Sequence, residues 1–256
     1  MTAFYVPDGD RLIATPLTRG PWHLGLQHGG PPSALLVRAL EALAPTALCA
    51  RTTIELLRPI PVGPVRVQAT LLPGGRQVQR GAAVLTDDAG LELARATAVL
   101  IRQAEVAVPA PRTDVLTPGP DDATPFEFPF FLDPVGYQAA VEVRLARGVW
   151  NAGPAAAWMR QRVPLVAGEL DTPLPMLVCL ADAANGICPA LSTGSHTFVN
   201  PDLTIAVRRP PRGTWFGLDV DSVAEPTGTG LCRAALYDEG GRVGDSLQTL
   251  LVAARS

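Results

Sequence analysis

Asp182 is the only Asp, Glu, Arg or Lys between Asp171 and Asp202, and it stands in a run, Leu174 to Leu191, that is apolar on nearly every face. A helix of that composition must be buried all round, which shields its acid from water. A carboxylate so placed can act as a base towards a positioned water. A second chemical signal lies earlier, where His28-Gly29-Gly30 precedes the helical stretch Pro31 to Leu43. Glycine lets a substrate approach the backbone, and the N–H groups of a helix's first turn are free donors at the positive end of its dipole. His28 has three open readings: a base, a ligand contact, or a capping and packing residue. No metal site is expected, because His23, His28 and His196 lack ligand spacing and Cys49, Cys179, Cys188 and Cys232 form no CxxC pair.

Composition removes several function classes. All 21 basic residues are arginine. Without lysine there is no Schiff-base, pyridoxal-phosphate or Walker A chemistry. A net charge of −3 over 256 residues argues against a dedicated nucleic-acid binder. With 47% hydrophobic and 18% charged residues, the chain can bury a sizeable core. No uninterrupted apolar run reaches 18 residues, and the first residues show no basic stretch followed by an apolar one. Neither a membrane span nor a signal peptide is expected, and the scattered cysteines fit free thiols in a reducing cytoplasm.

The elements that must hold these groups come in two matching sets. Arg58-Pro59 closes the β-rich run Thr53 to Leu57, and Arg209-Pro210, 151 residues on, closes Leu203 to Arg208. Asp87-Asp88-Ala89-Gly90 reads as a hairpin turn before Leu91 to Ile101; Asp238-Glu239-Gly240-Gly241 reads the same way before Arg242 to Val252. Further strands are expected within Phe4 to Thr18, Gln138 to Val149 and Ala156 to Arg162. Each half is thus a helix followed by antiparallel strands, an α+β pattern. The expected division is 1–107 for the first unit, a Pro-rich linker over 108–134, and 135–256 for the second.

In its order of motifs the chain resembles the acyl-CoA thioesterase II family. The segment Leu26-Gln27-His28-Gly29-Gly30-Pro31-Pro32-Ser33 is similar to the helix start of hotdog-fold thioesterases. The helix Asp, the strand ending in Arg-Pro and Ser246-Leu247-Gln248 in the last strand continue the likeness across nearly the whole chain. The resemblance implies a double hotdog, each unit a curved antiparallel sheet wrapped around a central helix. It also implies thioester hydrolysis by a water that an Asp, a Ser or Thr and a Gln hold and activate. Those roles fall on Asp182, Asn200 and Gln248. Asn200 is a departure, since it offers an amide and no hydroxyl; Thr204, four residues on, is a possible stand-in. Asn200 also precedes Pro201, a turn signal, and alternation leaves open which way Gln248 points.

On this reading acyl-CoA is the substrate, no cofactor beyond water is needed, and His28, Gly29, Gly30 and Thr204 contact the substrate. Subtracting the repeat offset from Asp182, Asn200 and Gln248 reaches Pro31, Cys49 and Thr97, with no carboxylate or amide among them, so one site per chain is expected. Exposed sheet edges favour a homo-dimer or larger homo-oligomer. Two rival functions remain. One is an acyl-CoA or lipid-like ligand-binding protein of the same fold without turnover. The other is a hotdog hydratase or dehydratase for enoyl thioesters, which needs an Asp–His pair; no His lies within five residues of Asp182.

Overall fold

The computed structural model describes residues 3–110 and 114–255. The first half runs β1 (Tyr5–Asp8), β2 (Arg11–Ala14), α1 (Gly30–Leu43), β3 (Ala47–Leu56), β4 (Pro64–Leu72), β5 (Val78–Thr86) and β6 (Glu92–Arg102). The second runs β7 (Thr124–Phe126), α2 (Tyr137–Ala140), β8 (Val141–Arg147), β9 (Ala155–Gln161), α3 (Pro173–Ala181) and α4 (Ala184–Ile187). It ends with β10 (His196–Val199), β11 (Asp202–Val207), β12 (Phe216–Ala224), β13 (Thr229–Asp238) and β14 (Gly241–Ala254). Hydrogen bonds join the strands in the order β1-β2-β4-β5-β6-β3-β11-β14-β13-β12-β9-β8-β7, with β10 also paired to β14. Helix α1 packs on β3 to β6, α3 on β9 and β12, and the two helices on each other.

The two halves meet where β3 pairs antiparallel with β11. Thr53 lies opposite Thr204, 151 residues later, and their hydroxyls are 3.2 Å apart. A residue therefore faces its own repeat, as an approximate two-fold axis through the seam requires. Each half also carries the same irregularity, a shift between Leu85 and Thr86 in β5 and between Leu236 and Tyr237 in β13. Such bulges bend and twist a strand, here at matching positions. The hairpins beyond them use Gly90 and Gly241, at φ +80° and +111°, where a side chain would be strained. The two arginines of the Arg-Pro motifs serve these ends differently. Arg209 grips the buried Asp238 through two 2.6 Å hydrogen bonds, whereas Arg58 donates to the backbone oxygen of Glu92 at 2.8 Å.

Three expectations are corrected. The second helix does not run unbroken from Leu174 to Leu191: α3 stops at Ala181 and α4 restarts at Ala184, with Asp182 at the break. The Pro-rich stretch is not a free linker. β7 pairs with β8, and the carbonyls of Pro118 and Pro120 accept from Trp158 Nε1 and Arg144. The register also moves one equivalence: Thr204 pairs with Leu247 where Thr53 pairs with Thr97, so the first-half partner of Gln248 is Ala98.

Helix α3 is buried on nearly all sides, as its composition demands; Leu177 through Ala181 are each 0% exposed. Its contact with α1 is tight. A Cβ at Gly30 would overlap the carbonyl oxygen of Cys179, a backbone atom that cannot swing aside. Gly30→Ala should therefore destabilise the fold by about 1–3 kcal/mol, as forced overpacking does. Urea unfolding monitored by tryptophan fluorescence would measure it.

Candidate active site

The helix break supplies the site with its acid. The Ala183 N–H bonds back to Leu180 O at 3.1 Å and the Gly186 N–H to Ala183 O at 2.9 Å, so the carbonyl of Asp182 loses its helical partner. Gln248 takes that place, its Nε2 donating to Asp182 O at 3.0 Å. Gln248 is wholly buried on β14, on the same inward face as Ser246 and Leu250. Its Oε1 has no partner among the described residues, and Gln248 is absent from the wall of the cavity described below.

A strand irregularity delivers the second side chain. Val199 pairs with Leu251 and Thr204 with Leu247, so the path from β10 to β11 holds one residue more than β14 does. The excess falls at Asn200-Pro201, where proline has no N–H for the ladder. Asn200 turns towards α3, and its Nδ2 donates to Asp182 Oδ1 at 2.7 Å. Asn185 Nδ2 donates in turn to Asn200 Oδ1 at 3.3 Å, a contact the sequence reading missed.

The third group comes from the other half. His28 Nδ1 lies 3.0 Å from Asp182 Oδ2. The hydratase reading needs a histidine near Asp182, and none lies close along the chain; the fold brings one from 154 positions away. The imidazole stacks on Tyr137, ring centroids 3.9 Å apart and planes 3° from parallel. Tyr137 donates to Cys179 O at 3.1 Å, and burial pushes its phenol well above the usual range. The Gly30 N–H donates to His28 Nδ1 at 3.1 Å.

Other candidates move. Pro31 and Pro32 delete two of the N–H groups expected at the start of α1, and Gly30's faces His28. That leaves the Gly29 N–H, which has no acceptor among the described residues. A Cβ on Gly29 would come within 2.8 Å of Asp182 Oδ2, so glycine is what lets the helices close. Gly30 is buried, serves helix packing and lies outside the cavity wall. Thr204 is also outside it, since its hydroxyl is spent on Thr53 across the seam.

His28, Gly29, Asp182 and Asn200 share a cavity of about 630 Å³. Aromatic side chains stand among the aliphatic ones in the rest of its wall: Trp22 stacks against Phe130 at 6.4 Å and meets Phe198 edge-on at 6.0 Å, with Phe128 beside Phe130. Arg58 and Arg255, both exposed, also line the cavity. A sequence signal for this wall existed: four of the seven phenylalanines, Phe126, Phe128, Phe130 and Phe131, fall within six positions of the stretch taken as a linker.

The pseudo-symmetric position is occupied differently from the expectation. Pro31 begins α1 while Asp182 ends α3, so the offset of the strands does not carry across the helices. At the end of α1 stands Glu41, which accepts from Thr172 Oγ1, at the start of α3, at 2.7 Å. Burial holds the Glu41 carboxyl above its ordinary range. Cys49 replaces Asn200 there, and burial pushes its thiol up to about 11. Cys232 is likewise pushed up to about 12, and Cys179 and Cys188 upward, by burial in each case. In the folded protein at pH 8, none of these thiols should react with a disulfide reagent such as dithiobis-nitrobenzoate, while all should react after unfolding in guanidinium; a thiol count in both states checks this.

Solved structures share the architecture. A protein from Thermobifida fusca YX assigned to thioesterase II is 20% identical, with 99% of this chain and 98% of that one aligned at a TM-score of 0.73. A hot dog fold protein of unknown function from Alicyclobacillus acidocaldarius is 18% identical, covering 98% and 96% at 0.70. An acyl-CoA thioesterase II, TesB2, from Mycobacterium marinum is 17% identical, covering 97% and 95% at 0.67. The class is thus a hotdog α+β fold. No curated protein matches the sequence. Family models do: an acyl-CoA thioesterase N-terminal domain over residues 18–101 and an acyl-CoA thioesterase C-terminal domain over residues 114–252. The chain belongs to the acyl-CoA thioesterase family, the one its motifs resemble.

Proposed function

We propose that this chain is a double hotdog that hydrolyses the thioester of an acyl-CoA or a related acyl carrier, at one site per chain. The observation that carries the reading is the convergence of Asn200 and His28 on the buried Asp182, at the wall of an apolar cavity. The acyl group lies among Trp22, Phe130 and Phe198, and its carbonyl oxygen accepts from the free Gly29 N–H, where negative charge develops as water adds. Asn200 fixes one carboxylate oxygen of Asp182 and Gln248 fixes its backbone, so the acid is preorganised to drive removal of the water's proton. Arg58 and Arg255 meet the phosphates of the coenzyme. The edge strand β7 is where a homo-dimer or larger assembly would add.

One observation favours a second reading. A histidine and an aspartate in contact across a thioester cavity are also the groups an enoyl-thioester hydratase needs. Loss of enoyl absorbance without thiol release would select it.

Thiol release should be measured against acyl-CoA substrates of graded chain length. The wild type is expected to release thiol, and Asp182→Asn to slow it by about 100-fold or more, the usual weight of proton transfer. An inert wild type across the whole panel would overturn the hydrolase reading.

A further inference from the structure

We infer that Asn185 is a positioning residue: it clamps the side-chain amide of Asn200 so that Nδ2 stays on Asp182. The inference deepens the hydrolase reading above and rests on it.

Asn200 stands where the resemblance calls for a hydroxyl. A hydroxyl turns its proton to whichever acceptor lies near, whereas an amide carries a donor end and an acceptor end fixed in one plane. A carboxylate oxygen only accepts, so the 2.7 Å contact to Asp182 Oδ1 puts the amide nitrogen on that side. Nδ2 also donates to Asp202 O, at 3.4 Å. Oδ1 is then left facing away from the acid, in need of a donor of its own. Asn185 supplies it, with Nδ2 at 3.3 Å. The sheet does not supply the same constraint. Asn200 lies in the irregularity between β10 and β11 and is paired with no residue of β14 or β3.

Asn185 rides on a fixed element. Its neighbours in α4, Ala184 and Ile187, are buried, and Trp150 Nε1 donates to the carbonyl of Gly186 at 2.9 Å. A Cβ on Gly186 would stand 3.3 Å from the Phe130 ring, so α4 is seated closely on the aromatic side chains. Asn185 and Asn200 are both half-buried, and both line the cavity. Among the described residues Asn185 makes no hydrogen bond to Asp182 itself, so what it does for the acid passes through Asn200. Without the bond from Asn185, the Asn200 side chain has room to swing into the cavity, and Asp182 Oδ1 loses its donor. The carboxylate is then no longer held in one orientation towards the water.

Asn185→Leu tests it, because leucine keeps the bulk and deletes the donor. The expected result is a folded variant whose kcat for thiol release falls about 10-fold with KM little changed, the weight of one hydrogen bond. Asn185→Asp keeps the shape and turns the donor into an acceptor, so it should lose at least as much. In an Asn200→Thr background there is no amide to clamp, and adding Asn185→Leu should change kcat by less than about 2-fold. NMR of asparagine-labelled protein should find the side-chain amide protons of Asn200 exchanging several-fold faster in either Asn185 variant than in the wild type. Wild-type kcat in the Asn185 variants, a rise in KM alone, a full loss that persists beside Asn200→Thr, or unchanged Asn200 exchange overturns the inference while leaving hydrolysis intact. A wild type that releases no thiol from any acyl-CoA overturns the hydrolase reading, and the exchange rates then judge the clamp by themselves. They also decide if Asn200→Thr is inert, and Asn185→Asp takes the place of Asn185→Leu if the latter fails to fold.

Discussion

Where α1 begins and α3 ends, two helices approach so closely that no side chain fits between them. Gly29 faces the carboxylate of Asp182, and Gly30 faces the carbonyl of Cys179. The arrangement of the site follows from that approach. It brings a histidine of the first half against an acid of the second, and it leaves the Gly29 N–H without an acceptor among the described residues. A buried carboxylate is costly unless each oxygen is answered. Here Asn200 donates to one oxygen, His28 Nδ1 lies 3.0 Å from the other, and Gln248 answers the carbonyl that the helix break leaves unpaired. The polar cluster is therefore a condition of the helix contact as well as a product of it.

Much of the architecture was legible in residue pattern, because repeats and hairpin turns leave local marks. The Arg-Pro strand ends, the glycine turns and the start of the apolar second helix stand where pattern puts them. Gln248 illustrates the limit: alternation could not say which way it points, and only the register of β14 turns it inward. The break at Asp182 left no mark, since alanines on either side are strong helix formers. His28 was visible as a residue but not as a partner, because contact across 154 positions is set by how the halves dock. The phenylalanine cluster was hidden by the prolines around it, which read as a spacer. Thr204 illustrates a related limit, since nearness to Asn200 in sequence does not show that its hydroxyl meets Thr53 across the seam.

The aromatic wall and the polar cluster each draw on both halves. Phe128, Phe130 and Phe131 belong to the segment leading into the second half, whereas Trp22 and His28 precede α1. The cavity is thus completed only when the two halves have docked, so assembly of the core and assembly of the site are one event.

The threonine pair at the seam has a consequence for how such a site changes over time. A protein that pairs two identical copies about a two-fold axis carries every substitution twice, once on each side. Here the mirrored positions sit on one chain and are free to drift apart. Asn200 is answered across the axis by Cys49, and Gln248 by Ala98. With both copies on one chain, mirrored positions carry different side chains: the amides of Asn200 and Gln248 stand on one side of the axis, a thiol and a methyl group on the other.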